Sequence, residues 1–302
     1  MTAAILTTDE SAGGHQQSDG PNHAGQDIST GSGLRLRGRI PLSVGIAFTV
    51  LAIVLAWSLF PDLFTSRNPA AGVPNRKFTS PGLNYWLGTD HLGRDLLARI
   101  IHGSASSMTS ALIAVTIGVV VGGLMGLVGG YLGGWIDAVL GRVVDVLLAI
   151  PSFLLAVIVV TALGYDTRNA AIATGLSAVA VFARLMRSSV LQVRTSVFIE
   201  AARVNGGSGI YILFRHILPN AVRPVLSLAV LQFGLAILTI AGLAFLGYGD
   251  PPPASDWGLL VADGREHLLH APWLVIAPGL VIAIVVLAVS RISRWLDQGR
   301  NQ

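Results

Sequence analysis

Cysteine is absent from the 302 residues, lysine occurs once, at Lys77, and only 12% of the chain is charged. The first absence excludes disulfides, thiolate metal ligands and cysteine nucleophiles. The shortage of charge excludes an ordinary soluble domain, which carries about twice that fraction. Apolar residues fill the space at 52% of the chain, with a mean hydropathy of +0.66. A bundle of membrane helices fits these figures as one unit. In a soluble chain a net charge of +4 would raise nucleic acid as a partner. Here the loop arginines are explained by orientation in a lipid bilayer, and no nucleic acid is expected.

Residues 1–38 are polar, rich in Gly, Ser, Gln and His, and without apolar periodicity. Such a segment cannot bury enough apolar surface to offset its ordering entropy, so it reads as a disordered cytoplasmic tail. His15 and His23 read as solvated rather than metal-binding. Arg35, Arg37 and Arg39 precede an apolar run from Ile40 to Phe60, long enough to cross a bilayer; the first transmembrane helix is placed within 39–63. The long preceding region and the lack of a small-residue cleavage site argue against a signal peptide. Five more spans are expected at 107–130, 144–164, 169–187, 224–247 and 273–290. The fourth is the weakest, with a clean apolar run only from Ala170 to Ala183. The expected fold is an all-α membrane protein of six transmembrane helices. Residues 64–104 form an external connection, 105–296 a five-helix core, and 297–302 a cytoplasmic tail. Both termini and the loops 131–143 and 188–223 then lie in the cytoplasm. The arginines of the 188–223 loop (Arg194, Arg203, Arg215, Arg223) and of the C-terminus (Arg291, Arg294, Arg300) agree with the positive-inside rule. The first external loop, holding Arg67, Arg76, Lys77, Arg94 and Arg99, does not.

Gly118, Gly122, Gly126 and Gly130 recur every four residues, a spacing that builds a groove for close helix approach in lipid. The groove fits a static packing surface and a moving interface of a transport pathway equally well. In Leu87-Gly88-Thr89-Asp90-His91-Leu92-Gly93-Arg94-Asp95, His91 and Asp95 have a metal-ligand spacing. Yet Asp90 with Arg94 and Asp95 with Arg99 are i,i+4 ion pairs, Thr89 or Asp90 can cap a helix, and Leu92, Leu96, Leu97, Ile100 and Ile101 form an apolar stripe. The segment therefore predicts an amphipathic helix on the membrane surface, and no metal site. Arg142 and Asp145, one turn apart and followed by Pro151, are expected to pair with each other rather than to relay protons. In the loop 188–223, Glu200, Ala201 and Ala202 favour helix, Gly206, Gly207 and Gly209 bend the chain, and Pro219 ends whatever helix precedes it. Two short helices with a bend are expected there, and the apolar residues of the second need a covering surface. The external loop 248–272, with Pro251, Pro252, Pro253 and Trp257, reads as a stiff connection more than a docking surface.

The loop resembles the signature of the inner-membrane permeases of ABC importers. Their Glu-Ala-Ala, then Gly after three residues, then Ile-x-Leu-Pro after nine more is matched at Glu200, Ala201, Ala202, Gly206, Leu218 and Pro219, with His216 in the Ile position. The string His216-Ile217-Leu218-Pro219-Asn220 is similar to the dipeptide, oligopeptide and nickel branch. So are Gly88, Asp90, Gly93, Arg94 and Asp95, the Gly129-Gly130-Tyr131 run, Arg142, Asp145 and Pro151, and Pro252 with Trp257. The likeness covers about residues 84–296 and best fits the C-type subunit of a permease pair. It implies a type I permease fold in the bacterial inner membrane, with 188–223 as a coupling loop that docks on an ATPase. In that setting Glu200 engages the ATPase and Gly206 permits the bend. It also implies a second related permease, two ATPase subunits and an external substrate-binding protein. The chain itself has no phosphate-binding G-x-x-x-x-G-K-[ST] loop, so no cofactor and no enzymatic activity of its own are expected. Peptides are the implied cargo, with nickel or another small solute as the alternative; an ion-coupled secondary transporter would leave the loop unexplained.

Overall fold

The computed structural model describes residues 41–298. The tail to residue 38, with its histidines and arginines, and residues 299–302 lie outside the described residues. Nine helices make up most of the described chain: α1 (Leu42–Leu59), α2 (Leu96–Leu132), α3 (Gly134–Ala149), α4 (Ser152–Leu163), α5 (Thr167–Arg194), α6 (Val197–Val204), α7 (Gly209–Phe245), α8 (Trp257–Arg265) and α9 (Trp273–Gln298). Among the described residues the only β pairing is an isolated bridge between Thr89 and Asp95. Helices α1, α2, α5, α7 and α9 are each long and apolar enough to cross a bilayer, and α3 with α4 supplies a sixth crossing if the pair is one span. That pair is bent by 94° at Ile150-Pro151, so the span expected at 144–164 is a broken helix. Proline at 151 cannot donate to the ladder and pushes Ile150 out of the helical region; Ile150 sits at ψ 129°.

Helix α5 is the hub. It packs against α2, α3, α4 and α7, and 61% of its membrane window is buried, against 17–33% for the other four. Its residues are accordingly small, with Ala170, Ala171, Ala173, Gly175 and Ala180 all buried. A helix surrounded by protein needs close approach more than lipid-soluble side chains. One apolar core joins Ile100, Ala111, Val160, Ala170, Ile240, Leu243, Trp257 and Leu274. A second, towards the α6–α7 turn, joins Leu127, Phe182, Val190, Ile199, Ile212, Ile217 and Val225.

Two π turns interrupt long helices. The first, Gly118–Gly122, explains the glycine series. Four residues of α-helix turn about 400°, so an i,i+4 series drifts about 120° by its fourth member. One extra residue in a π turn takes back about 100°, and Gly118, Gly122, Gly126 and Gly130 all stay against α5. A Cβ at Gly118 would meet Phe182 at 2.8 Å, one at Gly122 or Gly126 would run into the carbonyl oxygens of Val179 or Ala183, and one at Gly130 would touch Val190 at 3.0 Å.

The second π turn, Leu213–Ile217, corrects the expectation at Pro219. No helix stops there: α7 runs from Gly209 through Pro219 and Pro224 to Phe245. A proline ring clashes with the carbonyl four residues back. The widened turn immediately before Pro219 opens the ladder where that clash would fall.

The predicted surface helix over 87–101 is also corrected. Residues 87–95 form turns, and α2 starts only at Leu96, capped by the Asp95 carboxylate on the Leu97 and Ala98 amides. Leu96, Ile100 and Ile101 are core residues rather than a membrane-facing stripe. The i,i+4 spacing predicts helix only where the intervening backbone is helical, and Gly88 and Gly93 hold φ of +79° and +77°.

Candidate functional site

The candidate coupling loop is held by a small buried anchor and a few polar ties. Along α6 the side chain of Ile199 is fully buried, and Ile212 and Ile217 on α7 pack into the same cluster. Between the helices Asn205-Gly206-Gly207-Ser208 reverses the chain. Gly206 takes φ +79°, where an L side chain is strained, and Ser208 caps α7 through its hydroxyl on the Tyr211 amide. The Tyr131 hydroxyl donates to the Gly209 carbonyl at 2.8 Å, and Arg194 Nη1 donates to the Tyr131 carbonyl at 2.9 Å. The loop is thus fixed to the end of α2 by residues that its own sequence does not announce.

The other face of the loop is open. Val197 is 81% exposed, Val204 87%, Ile210 72% and Phe214 61%, with Glu200, Ala201, Arg203 and Arg215 exposed among them. Contiguous exposed apolar side chains rimmed by charge mark an interaction surface. Glu200, Ala201 and Ala202 lie on α6, Gly206 at the reversal, and His216, Leu218 and Pro219 on the early turns of α7. The His216 ring meets the Tyr211 ring edge-on at 5.8 Å, and its carbonyl accepts from Asn220 Nδ2 at 2.7 Å.

Beside the loop, α3 is clamped to α5 by two ion pairs. Arg187 Nη2 reaches Asp137 Oδ2 at 2.7 Å and Arg184 Nη2 reaches Asp145 Oδ1 at 2.8 Å. The expected Arg142–Asp145 pair does not form, because α5 presents Arg184 to that carboxylate. Exposed Arg142 instead lines a cleft of about 290 Å³ with Asp137, Asp145, Arg184 and Arg187.

At the opposite end of the bundle lies a buried charge cluster. Asp90 Oδ2 receives Arg94 Nε at 2.6 Å and Arg99 Nη1 at 2.9 Å, with all three side chains almost fully buried. Arg99 also reaches Asp263 Oδ2 on α8 at 3.5 Å and the Ala254 carbonyl at 3.1 Å. The expected Asp95–Arg99 pair is therefore replaced: Asp95 takes Arg67 at 2.9 Å. Burial pushes the Asp90 carboxyl up, but the amide and guanidinium of Arg94 and the Leu92 amide outweigh it and hold it below the ordinary value. His91 faces His267, with ring centroids 5.4 Å apart. Among the described residues no group of three or more His, Asp or Glu side chains could hold a metal ion.

Gly88 and Gly93 shape this end. A Cβ on Gly88 would lie 2.8 Å from the Trp273 indole nitrogen, and one on Gly93 would overlap the Val73 carbonyl. Trp257 is fully buried; its indole donates to the Ile100 carbonyl at 2.9 Å and its amide to Ser107 Oγ at 3.2 Å. Asp256 accepts from Ser107 Oγ at 2.8 Å and from the Gly258 amide at 2.9 Å, while burial raises its carboxyl above the usual range. Pro252, by contrast, is exposed.

Residues 118–302 match the family described as the binding-protein-dependent transport system inner membrane component. The chain is 40% identical over 253 residues to the dipeptide transport system permease protein of Alkalihalophilus pseudofirmus, covering 84% of this chain and 83% of that one. It is 34% identical over 261 residues to the glutathione transport system permease protein of Pectobacterium atrosepticum, covering 86% of each. The fold is shared with a solved methionine ABC transporter in inward-facing form, at a TM-score of 0.52 and 17% identity over 66% of this chain and 96% of that one. An amino acid ABC transporter aligns at 0.53 and 17%, over 67% and 94%. The sequence relationship, with the loop and the bundle that carries it, places the chain among the inner-membrane permeases of ABC importers, as a transport subunit rather than an enzyme.

Proposed function

We propose that the chain is one of two permease subunits of an ATP-driven peptide importer. It would form half of a pathway for dipeptides or oligopeptides handed over by an external binding protein. The single observation that carries the coupling part is the α6–α7 loop, anchored by Ile199, Ile212 and Ile217 and exposing apolar side chains around Glu200. A rigid anchor with an open apolar outer face suits force transfer from a second protein. The peptide cargo rests on the extent of identity to the dipeptide and glutathione permeases.

In this reading both termini and the α6–α7 loop face the cytoplasm, and Glu200 with the apolar rim docks in a groove on an ATPase subunit. Gly206 allows the reversal that presents α6. Two ATPases and a sister permease complete the assembly. ATP can drive alternation between inward-open and outward-open states only by binding them with different affinity. The α2–α5 glycine groove and the α3–α5 ion pairs are the contacts across which such movement would be borne or resisted.

The test is uptake of a labelled dipeptide by cells that carry the whole system. Uptake should vanish when either the binding protein is removed or the ATPase is inactivated. Peptide accumulation that survives ATPase inactivation would contradict the reading and favour an ion-coupled carrier. Uptake of nickel and no peptide would replace the cargo and leave the coupling intact.

A further inference from the structure

Three helices place uncharged polar side chains around one cavity between the helices, and a fourth closes it with apolar ones. The cavity measures about 230 Å³ and is lined by Ser152 of α4, Thr174 and Ser177 of α5, and Gln232 and Thr239 of α7, with Ala114 of α2 closing it. Gln232 stands 13 residues before the Phe245 end of α7, or about 20 Å along the helix. Ala114 is 18 residues from either end of α2. The cavity therefore lies near the middle of the long apolar helices, at a height that a hydrocarbon layer about 30 Å thick centred on them would cover.

Polar groups at that depth are costly unless satisfied. Ser177 Oγ is satisfied by the Ala173 carbonyl at 2.9 Å. Thr174 is only 7% exposed and its hydroxyl, buried against the cavity, has no hydrogen-bond partner among the described residues. At the start of α4, Ser152 reaches the wall; the first backbone bond of that helix is from Leu155 to Pro151, which leaves the Ser152 amide outside its ladder among the described residues. The 94° break after α3 is what delivers this helix start to the cavity wall.

We propose that this cavity is a way-station for the main-chain amide groups of a peptide in transit. Hydroxyls and a carboxamide offer donors and acceptors together, matching the N–H and C=O of a peptide unit. No charged side chain lines the cavity, so a peptide is not held by strong ion pairing and can leave. The volume falls short of the about 300 Å³ of a small-molecule site, which suits a half-site completed by the facing permease. The assignment rests on the peptide-importer reading and adds to it the residues that meet the cargo: Thr174, Gln232, Thr239 and Ser152.

The lack of native cysteine makes a direct test available. In membrane vesicles containing the whole transporter, Gln232→Cys supplies the only thiol of this subunit, and N-ethylmaleimide labelling is followed on this chain. Uptake of Ala-Ala by wild-type vesicles is measured first, and its absence would overturn the peptide reading and this assignment with it. Given uptake, labelling at Gln232→Cys should slow at least about threefold during turnover with binding protein, Ala-Ala and ATP, and not with unloaded binding protein. Leu226→Cys, on an exposed face of the same helix, should label at one rate throughout. Thr174→Val combined with Gln232→Leu should lower Ala-Ala uptake at least about fivefold while the ATPase still responds to loaded binding protein. Equal labelling with and without Ala-Ala, or undiminished uptake by the double variant, would overturn the way-station and leave the importer reading standing.

Discussion

Asp90 holds two arginines at once, and both are buried beside it. Removing its charge strands Arg94 in a space closed to water and leaves Arg99 with Asp263 as its ion-pair partner, a change that costs about 3–5 kcal/mol where one partner of a buried pair is lost. Asp90→Asn should therefore lower the thermal midpoint of the detergent-solubilised protein steeply. Arg67→Ala breaks a pair whose arginine is 44% exposed, and should cost less than about 1 kcal/mol. Equal shifts in the two variants would contradict the ranking. The same cluster accounts for the arginines of residues 61–104, which the expected external placement sets against the positive-inside rule. Arg94 and Arg99 are interior ion-pair partners and Arg67 is tied to Asp95; Arg76 and Lys77 stand exposed, with no ion pair among the described residues. From the sequence, the Asp90–Arg94 pairing was legible because its partners are four apart. Arg99 with Asp263, Asp95 with Arg67 and Asp145 with Arg184 were not, since the partner in each comes from an element whose neighbours only the fold decides.

Among the elements, α5 reverses the ranking that hydropathy suggests. It has the shortest clean apolar run of the expected spans, yet it is the most buried helix. Alanine, glycine, serine and threonine weaken a hydropathy signal and strengthen helix contact, so its central place was hidden by the residues that create it. Its groove partner α2 carries the four-residue glycine period that the sequence displayed openly. What the sequence could not display is the π turn that keeps all four on one face. The glycines make a paired prediction. Gly126→Ala would drive a methyl group into the Ala183 carbonyl, whereas at neighbouring Gly123 the nearest atom to a Cβ is Met186 Cε, at 3.7 Å. Gly126→Ala should cost about 1–3 kcal/mol as overpacking and Gly123→Ala close to nothing, read as thermal midpoints of the purified subunit assembly. Loss of stability in Gly123→Ala alone would contradict the packing. The two misplaced helix boundaries have one cause. Pro219 and the Asp90–Arg94 spacing are local signals, and a π turn in one place and two left-handed glycines in the other override them.

Across the whole molecule, the two ends of the bundle differ in construction. The end bearing α8 is closed by buried charge, Trp257 and the Trp273 indole, which donates to the Thr89 carbonyl at 3.3 Å. The end bearing α6 leaves its apolar side chains open around Glu200. Between them the α3–α4 break brings the start of α4 to a polar cavity lined also by α5 and α7. One end is thus closed by its own side chains, and the other presents the open apolar face on which the proposed coupling rests. In the proposed function, a partner's grip on this loop couples ATP hydrolysis to passage of a peptide. It is tested most directly by measuring dipeptide uptake and ATP hydrolysis together in proteoliposomes of the complete transporter carrying Glu200→Ala. Losing a contact worth about 1.5–3 kcal/mol of coupling corresponds to a roughly ten- to hundredfold change. Uptake should fall by that factor per ATP hydrolysed while the subunit still inserts and folds. Wild-type uptake per ATP in the Glu200→Ala transporter would contradict the account.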